Sequence, residues 1–213
     1  MPPEPASNAP RTRLVLVRHG QTDANASGRF QGQQDTPLNR VGRKQADAVA
    51  GRIAALKPAH LLSSDLARAR DTAAAIAAAT GLSVETDARL REIDVGRWQG
   101  LSVAEVGAAH PWFAEKLAAG EDFRRSETGE TATEAGERIA GVLAEVVQRR
   151  PGETIVVVGH GLALRVGTAL TLGLGFAGSY ALSGLWNCSW TILEHAARWR
   201  LLTYNAVASP RSD

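Results

Sequence analysis

Two stretches of the sequence end in the same pair of residues, His-Gly. Residues 14–20 read Leu-Val-Leu-Val-Arg-His-Gly, and residues 155–161 read Ile-Val-Val-Val-Gly-His-Gly. A short apolar, β-branched run of this kind predicts a strand buried on both faces of a parallel sheet. Because open α/β sheets bind their ligands beyond the carboxyl ends of the strands, His19 and His160 are predicted to share one pocket.

Arginines give this predicted pocket the chemistry of an anion site. Arg18 directly precedes the first histidine, and Arg68 is expected in the first turn of a helix that Asp65 caps. The N–H groups and positive dipole end of a helix N-terminus favour an anion, and a guanidinium strengthens that preference. Asn25 and the loop at residues 29–32 add hydrogen-bond donors. Two guanidiniums, two imidazoles and several amides favour a tetrahedral dianion, most of all phosphate.

The same residues favour phosphoryl transfer without a metal ion or other cofactor. Metal cations prefer carboxylates, or imidazoles that no arginine opposes, and the sequence contains neither HExxH nor CxxC. The guanidiniums can neutralise the phosphoryl charge while a neutral imidazole attacks phosphorus. The leaving oxygen then needs a proton, and Glu92 is our candidate, because the like charge of a bound phosphate raises the pKa of a nearby carboxyl. The alternative is that Glu92 only pairs with Arg91 or Arg97.

Alternating strand and helix patterns predict the elements that must position these residues. Strands are predicted over 14–18, 61–63, 82–86, 154–158, 189–194 and 199–204, and helices over about 40–56, 66–80, 102–109, 111–119, 132–149 and 162–172. Thr131 and Glu134 have the spacing of a capping box at the start of the longest helix. The first helix is expected to bury a face made of Val41, Val49, Ile53 and Leu56. The alternation indicates an α/β fold of three layers, α/β/α, around a mostly parallel central sheet.

One large domain is expected over residues 13–205. Residues 1–12, with four prolines up to position 10, are predicted to be a disordered tail, and residues 206–213 a C-terminal tail. The periodic pattern weakens over 90–130, which we interpret as a small helical lid or insertion within the domain.

The composition excludes several classes of protein. A formal net charge of +2 over 213 residues is too small for a general nucleic-acid-binding protein. No run of the sequence approaches the roughly 18 apolar residues of a membrane span. The only cysteine, Cys188, cannot form an internal disulfide, which is typical of a reducing compartment. We therefore expect a cytoplasmic protein with neither nucleic acid nor membrane as its partner.

Five short motifs, in this order, resemble those of the histidine phosphatase superfamily, which has the phosphoglycerate mutase-like fold. They are Arg18-His19-Gly20-Gln21-Thr22 with Asn25, Ser64-Asp65-Leu66-x-Arg68, Leu90-x-Glu92 with Gly96-x-Trp98-x-Gly100, Thr128-Gly129-Glu130-Thr131, and Val158-Gly159-His160-Gly161. The resemblance covers nearly the whole chain, about residues 13–205. A single Arg-His-Gly would be a weak signal, whereas the ordered set is a specific one.

The resemblance implies a role for each candidate residue. His19 would be the phosphorylated nucleophile and Glu92 the proton donor. Arg18, Arg68 and His160 would bind the phosphoryl group. The residues implied to contact phosphate or substrate are Asn25, Gln31, Gly32 and Gly161.

The resemblance also implies an activity. Gly-Gln-Thr at positions 20–22 and a short middle region are typical of the phosphatases of this family rather than its mutases. Segments 29–36, 98–101 and 187–191 are similar to those of members that act on a sugar-linked phosphoglycerate such as glucosyl-3-phosphoglycerate. Two alternatives stay open, a cofactor-dependent phosphoglycerate mutase and a non-catalytic protein that binds phospho-ligands. A homodimer is implied by analogy, with Trp186, Trp190 and Trp199 as a candidate apolar face.

Overall fold

A six-stranded sheet forms the centre of the protein in the computed structural model, which describes residues 10–208. The strands are β1 (Thr12–Arg18), β2 (His60–Ser63), β3 (Val84–Thr86), β4 (Thr154–Gly159), β5 (Trp190–His195) and β6 (Trp199–Ala206). Their order across the sheet is β3-β2-β4-β1-β5-β6. The first four strands pair in parallel, whereas β5 and β6 are antiparallel to their neighbours. The prediction of a mostly parallel sheet is confirmed.

Helices cover both faces of this sheet. They are α1 (Asp23–Ala26), α2 (Arg40–Ala54), α3 (Ala67–Thr80), α4 (Val103–Ala109), α5 (Trp112–Ala119), α6 (Ala132–Arg149), α7 (Gly161–Thr171) and α8 (Gly175–Gly178). Successive strand residues point to opposite faces, so Leu14 and Leu16 pack against α6 and α7, while Val15 and Val17 pack against α2 and α3. The predicted three-layer α/β/α fold is therefore confirmed.

The buried face of α2 differs from the predicted one. Val41 is 44% exposed and Leu56 is 38% exposed, beyond the end of the helix. The buried positions are instead Gly42, Ala46, Val49, Ala50 and Ile53. Gly42 determines this orientation, because a Cβ atom there would lie only 2.1 Å from the carbonyl oxygen of Gln21. This close approach of two backbones turns the neighbouring Val41 towards solvent.

The predicted cap of α3 is wrong. The N-cap residue is Leu66, which makes no side-chain capping bond, and the carboxylate of Asp65 instead pairs with Arg91. The backbone N–H of Ala67 donates to Asp35, 32 residues earlier, at 2.5 Å. A carboxylate does stabilise this helix N-terminus, but it comes from a distant loop.

Residues 90–130 pack around a cluster of aromatic side chains. Trp98, only 2% exposed, contacts the rings of Phe113 and Phe123. The same cluster includes Ala132 of α6 and Val166 of α7, so this region is anchored on one helical layer. The two predicted short helices are present as α4 and α5. The function of the region as a lid stays a prediction.

The ends of the described chain extend the predicted domain slightly. Thr12, assigned to the N-terminal tail, is buried as the first residue of β1, where its hydroxyl accepts a hydrogen bond from Gly152. At the other end β6 continues to Ala206. The remaining tail residues, 1–9 and 209–213, lie outside the described part.

Across residues 10–208 no single helix has the length and apolarity to cross a membrane. One pair of helical segments, α7 with residues 175–181, passes that test only when taken together, and the two are bent by 117°.

Candidate active site

The two histidines of the His-Gly pairs meet at the carboxyl edge of the sheet. Arg18 pairs in register with Gly159, so the residues that follow, His19 and His160, leave adjacent parallel strands together. Their ring centroids lie 5.1 Å apart, and the residues are 2% and 0% exposed. The structure thus brings together the two side chains on which the predicted pocket depends.

His19 presents one ring nitrogen to the site. Its Nδ1 atom lies 2.7 Å from the carbonyl oxygen of Gly20, and because a carbonyl only accepts, this contact assigns the proton to Nδ1. Burial, and then the charges of Arg18 and Arg68, hold the pKa of His19 well below its ordinary value. The ring is therefore neutral at pH 7, with the lone pair on Nε2 ready to act as a nucleophile.

His160 contacts the protein through its other ring nitrogen, Nε2. Its Nε2 atom lies 2.9 Å from Oγ of Ser64, which itself accepts a hydrogen bond from the N–H of Leu66. The serine hydrogen is thus available to Nε2, which leaves the proton of a neutral ring on Nδ1. Burial and the charge of Arg68 hold the pKa of His160 well below its ordinary value. A neutral His160 can donate from Nδ1 into the site.

Arg18 lies against the first residue of α7. Its Nη1 donates to the carbonyl oxygen of Leu185 at 2.5 Å. A Cβ atom added to Gly161 would lie 3.2 Å from Nε of Arg18. The glycine therefore lets the guanidinium approach the helix N-terminus, so that the helix dipole and the guanidinium charge both favour an anion there.

Arg68 is 1% exposed and is held by two loop carbonyls. Its Nη1 donates to Gln34 at 2.7 Å and its Nη2 to Gly32 at 2.8 Å. Burial lowers the pKa of Arg68 to about 10, so the charge persists at neutral pH. Gly32 has a φ of +52°, a left-handed conformation that glycine adopts without strain, and its carbonyl orients the guanidinium.

Three buried polar nitrogens around His19 have no hydrogen-bond partner within the described chain. They are Nε of Arg18, Nε of Arg68 and Nδ1 of His160. A buried polar group without a partner costs about 1–3 kcal/mol, and native proteins contain few of them. Three such atoms in one place indicate a site whose partner is a ligand with several acceptor oxygens.

The carboxylate of Glu92 lies at the N-terminus of α7. Its oxygens accept hydrogen bonds from the backbone N–H groups of Ile93 and Ala163, both at 2.9 Å, and of Leu162 at 3.1 Å. Together with Arg18 it lines a cavity of about 260 Å³. The backbone therefore fixes Glu92 beside the guanidinium of Arg18.

The alternative in which Glu92 only pairs with a neighbouring arginine is wrong. Arg91 forms its ion pair with Asp65, and Arg97 lies 3.9 Å from Glu127. Glu92 is thus held by the backbone of a distant helix rather than by a charge next to it in sequence.

Two amide side chains border the site with their donor ends available. Oδ1 of Asn25 accepts from the N–H of Thr22 and from Asn187, both at 3.2 Å. Oε1 of Gln31 accepts from the hydroxyls of Thr22 and Thr36, at 2.8 and 2.7 Å. Because each acceptor oxygen is occupied, the NH2 groups of Asn25 and Gln31 remain for a ligand.

Four site residues had no role in the sequence-based predictions. Ser64 holds His160, Asn187 holds Asn25, and Thr72 connects the N–H of Gly20 to the carbonyl of Arg68. A signal existed for Ser64, which follows β2 as His19 follows β1. The fourth, Arg165, lies four residues after Gly161 and so on the same face of α7.

Within residues 10–208 no group of three or more His, Cys, Asp or Glu side chains could hold a metal ion.

Comparison with known proteins places this arrangement in a family. The model of the histidine phosphatase superfamily (branch 1) matches residues 14–207. The chain belongs to that superfamily, which confirms the resemblance in the sequence motifs.

Particular relatives are similar over most of their length. A glucosyl-3-phosphoglycerate phosphatase of Mycobacterium tuberculosis (strain ATCC 25618 / H37Rv) is 39% identical, over 94% of this chain and 97% of its own. A solved structure of a mycobacterial glucosyl-3-phosphoglycerate phosphatase with VO3 is 40% identical, with a TM-score of 0.84 over 91% of this chain and 99% of that one. A probable phosphoglycerate mutase of Yersinia pestis (strain Pestoides F) is 35% identical, over 86% of this chain and 85% of its own.

Proposed function

We propose that this protein is a phosphomonoester hydrolase that acts through a phosphohistidine on His19. The observation that carries the proposal is the set of unpartnered buried nitrogens on Arg18, Arg68 and His160, gathered around a neutral imidazole. These groups complement the nonbridging oxygens of a phosphoryl group. The two guanidiniums supply the positive charge that a divalent cation would otherwise supply.

The reaction proceeds in two displacements. In the first, Nε2 of His19 forms a bond to phosphorus while the ester P–O bond breaks and Glu92 gives its proton to the leaving alcohol. In the second, Glu92 takes a proton from water, whose oxygen bonds to phosphorus as the P–N bond breaks. Inorganic phosphate leaves, and His19 and Glu92 return to their starting protonation states. The hydrogen bond from Nδ1 to Gly20 persists throughout and stabilises the phosphorylated ring.

Contacts to the phosphoryl group follow from the donors that point into the site. Arg18, Arg68 and His160 hold the equatorial oxygens through both steps. The amide nitrogens of Asn25 and Gln31 add further contacts at the mouth of the site. Gly32 and Gly161 contribute backbone rather than side chains, the first by orienting Arg68 and the second by making room for Arg18.

The proposed substrate is a phosphoglycerate-type or sugar-linked ester such as glucosyl-3-phosphoglycerate. Support comes from the mycobacterial relatives of that name and from similarity over nearly the whole chain. The test measures phosphate release from phosphoglycerates, sugar phosphates and glucosyl-3-phosphoglycerate, with and without excess EDTA. We expect the sugar-linked ester to be hydrolysed fastest and EDTA to have no effect. Dependence on a divalent ion would contradict the charge argument.

Trapping the phosphoenzyme tests the nucleophile directly. Substrate labelled in the phosphoryl group should leave an acid-labile, base-stable label on the wild-type protein and none on His19→Ala. Label that persists on the variant would exclude His19. Phosphate binding without release from any ester would instead favour the non-catalytic alternative.

A second candidate activity, phosphoglycerate mutase, rests on the relative from Yersinia pestis. A mutase returns the phosphoryl group to the glycerate and needs a bisphosphate primer. Phosphorus NMR of 3-phosphoglycerate incubated with enzyme, with and without such a primer, separates the activities. We expect inorganic phosphate as the product in both samples, whereas a primer-dependent phosphoglycerate isomer would favour the mutase.

We also propose a homodimer in the cytoplasm. The edge strand β6 and its flank carry exposed apolar side chains, with Leu202 47% and Trp186 46% exposed. Light scattering should give twice the monomer mass, and Leu202→Glu should give the monomer.

Burial raises the pKa of Cys188 to about 12, which keeps the thiol protonated and fits a reducing compartment.

A further inference from the structure

The cavity beside Glu92 is lined by a second arginine, Arg165, which has no role in the two displacements. Arg165 lines this cavity together with Arg18, Gly161 and Leu162. It follows Gly161 by one turn of α7, so its Cα lies about 6 Å further along the helix axis, away from the phosphate-binding end. Arg18 and Glu92 of the proposed phosphoryl site therefore share one cavity with Arg165.

Arg165 has no ion pair with any carboxylate among residues 10–208. The buried Nε atom of its side chain makes no hydrogen bond there, and its guanidinium lies 6.0 Å from the ring centroid of Tyr180. Glu92 lines the same cavity, but both of its oxygens already accept backbone hydrogen bonds. No carboxylate among residues 10–208 is thus within ion-pair distance of the guanidinium of Arg165.

A second arginine adds to the positive potential around Arg165. Arg125 is 7% exposed, stacks on the ring of Phe123 at 4.0 Å, and lies 3.9 Å from Asp122. It is close enough to Arg165 for the two charges to repel each other. Asp122 offsets part of the charge of Arg125, whereas Arg165 forms no ion pair with a carboxylate of the described residues. An anionic group in the cavity would stabilise this arrangement, whereas a neutral ligand would desolvate Arg165 without replacing its water.

We infer that Arg165 is a specificity-determining residue, which binds a carboxylate carried by the same substrate whose phosphoryl group is transferred to His19. A guanidinium matches a carboxylate with two parallel hydrogen bonds, and such a charged pair in a partly desolvated cavity discriminates strongly against a ligand without the charge. This inference rests on the proposed function for the position of the phosphoryl group. It adds that the preferred esters carry a carboxylate close to the phosphorylated carbon.

Two esters that differ in one group test the inference. In glycerol 3-phosphate a CH2OH group replaces the carboxylate of 3-phosphoglycerate, and the rest of the skeleton is the same. We expect wild-type kcat/KM to favour 3-phosphoglycerate, and Arg165→Gln to reduce the ratio of the two kcat/KM values at least tenfold. Arg165→Lys should restore part of the ratio, since it keeps the charge without the fork. Arg52→Gln, an exposed arginine on α2, is the matched control and should leave the ratio unchanged.

Binding separates this inference from the proposed catalysis. In the His19→Ala background, calorimetry measures the affinity for both esters without turnover, and Arg165→Gln should weaken 3-phosphoglycerate at least tenfold more than glycerol 3-phosphate. That result supports the carboxylate site even if the wild-type protein hydrolyses neither ester. Equal losses for both esters, no loss for either, or no binding of 3-phosphoglycerate to His19→Ala would overturn it.

Discussion

Ser64 Oγ and His160 Nε2 lie 2.9 Å apart, and this contact decides which ring nitrogen of His160 faces the proposed phosphoryl site. Both residues are 0% exposed, so this contact is shielded from bulk solvent. A neutral imidazole donates from one nitrogen only. By occupying Nε2, Ser64 makes His160 a donor at Nδ1, where an oxyanion needs one.

Ser64→Ala should therefore weaken phosphate binding without removing a direct ligand contact. Loss of a buried hydrogen bond of this kind costs about 1–2 kcal/mol, which corresponds to an increase in the Kd for inorganic phosphate of about tenfold. Calorimetric titration with phosphate measures the effect. Ser179→Ala is the control, because that hydroxyl is equally buried and has no partner among the described residues. Equal affinities of the two variants would contradict the role of Ser64.

Gly32→Ala should damage both stability and phosphate affinity. A Cβ atom there would lie 2.7 Å from Cγ2 of Val95 on a residue with a positive φ, and the carbonyl that orients Arg68 would shift. Gly28→Ala is the control, because Gly28 has a similar φ of +64° and a Cβ atom there would have no other atom within 4 Å. We expect the control to lose about 1 kcal/mol of unfolding free energy from backbone strain alone. Only Gly32→Ala should also raise the Kd for phosphate, and an equal rise in the control would refute the link to Arg68.

Glu92→Gln should slow the two displacements to different extents. An amide cannot protonate the alcohol, so turnover of an alkyl phosphate should fall about 10²–10⁴-fold. p-Nitrophenyl phosphate has a leaving group that needs no proton, so its first turnover should persist as a burst equal to the enzyme concentration, followed by slow hydrolysis. Rapid-mixing absorbance of p-nitrophenolate measures this burst. If the first turnover falls equally for both esters, Glu92 is not the proton donor.

Stability should fall as the pH drops below about 6.5 in phosphate-free buffer. The buried rings of His19 and His160 have depressed pKa values in the folded state, whereas the unfolded chain takes up protons near pH 6.5. The unfolded state therefore binds more protons, and each histidine lowers the unfolding free energy by up to about 1.4 kcal/mol per pH unit. Urea unfolding at pH 7.5, 6.5 and 5.5 measures the slope. His160→Gln should have a shallower slope, and a slope as steep as that of the wild type would contradict a neutral His160.

Strands and their ends could be predicted because the signal for them is local. The β-branched runs before His19 and His160 are long enough to identify buried parallel strands, and the glycine after each histidine marks the end. Parallel strands end at one edge of a sheet, so the meeting of the two rings followed from topology alone. The capping box at Thr131 is equally local, and α6 begins where it predicts.

Contacts between distant loops could not be predicted in the same way. Asp65 had the sequence position of a helix cap, yet Arg91 competes for it and Asp35 takes its place. The orientation of α2 depends on the contact of Gly42 with Gln21, which no helical periodicity encodes. In each case a tertiary contact outweighs a weak local preference.

The position of β1 in the sheet has a consequence for biosynthesis. This first strand lies between β4 and β5, which the ribosome makes after residue 153. In a nascent chain the apolar strand β1 therefore has neither of its neighbours until most of the polypeptide has emerged. Pairing between strands so far apart in sequence is also intrinsically slow. A chain that stops before β4 therefore lacks both His160 and the two strands that bury β1, and its exposed apolar strand is a risk for aggregation.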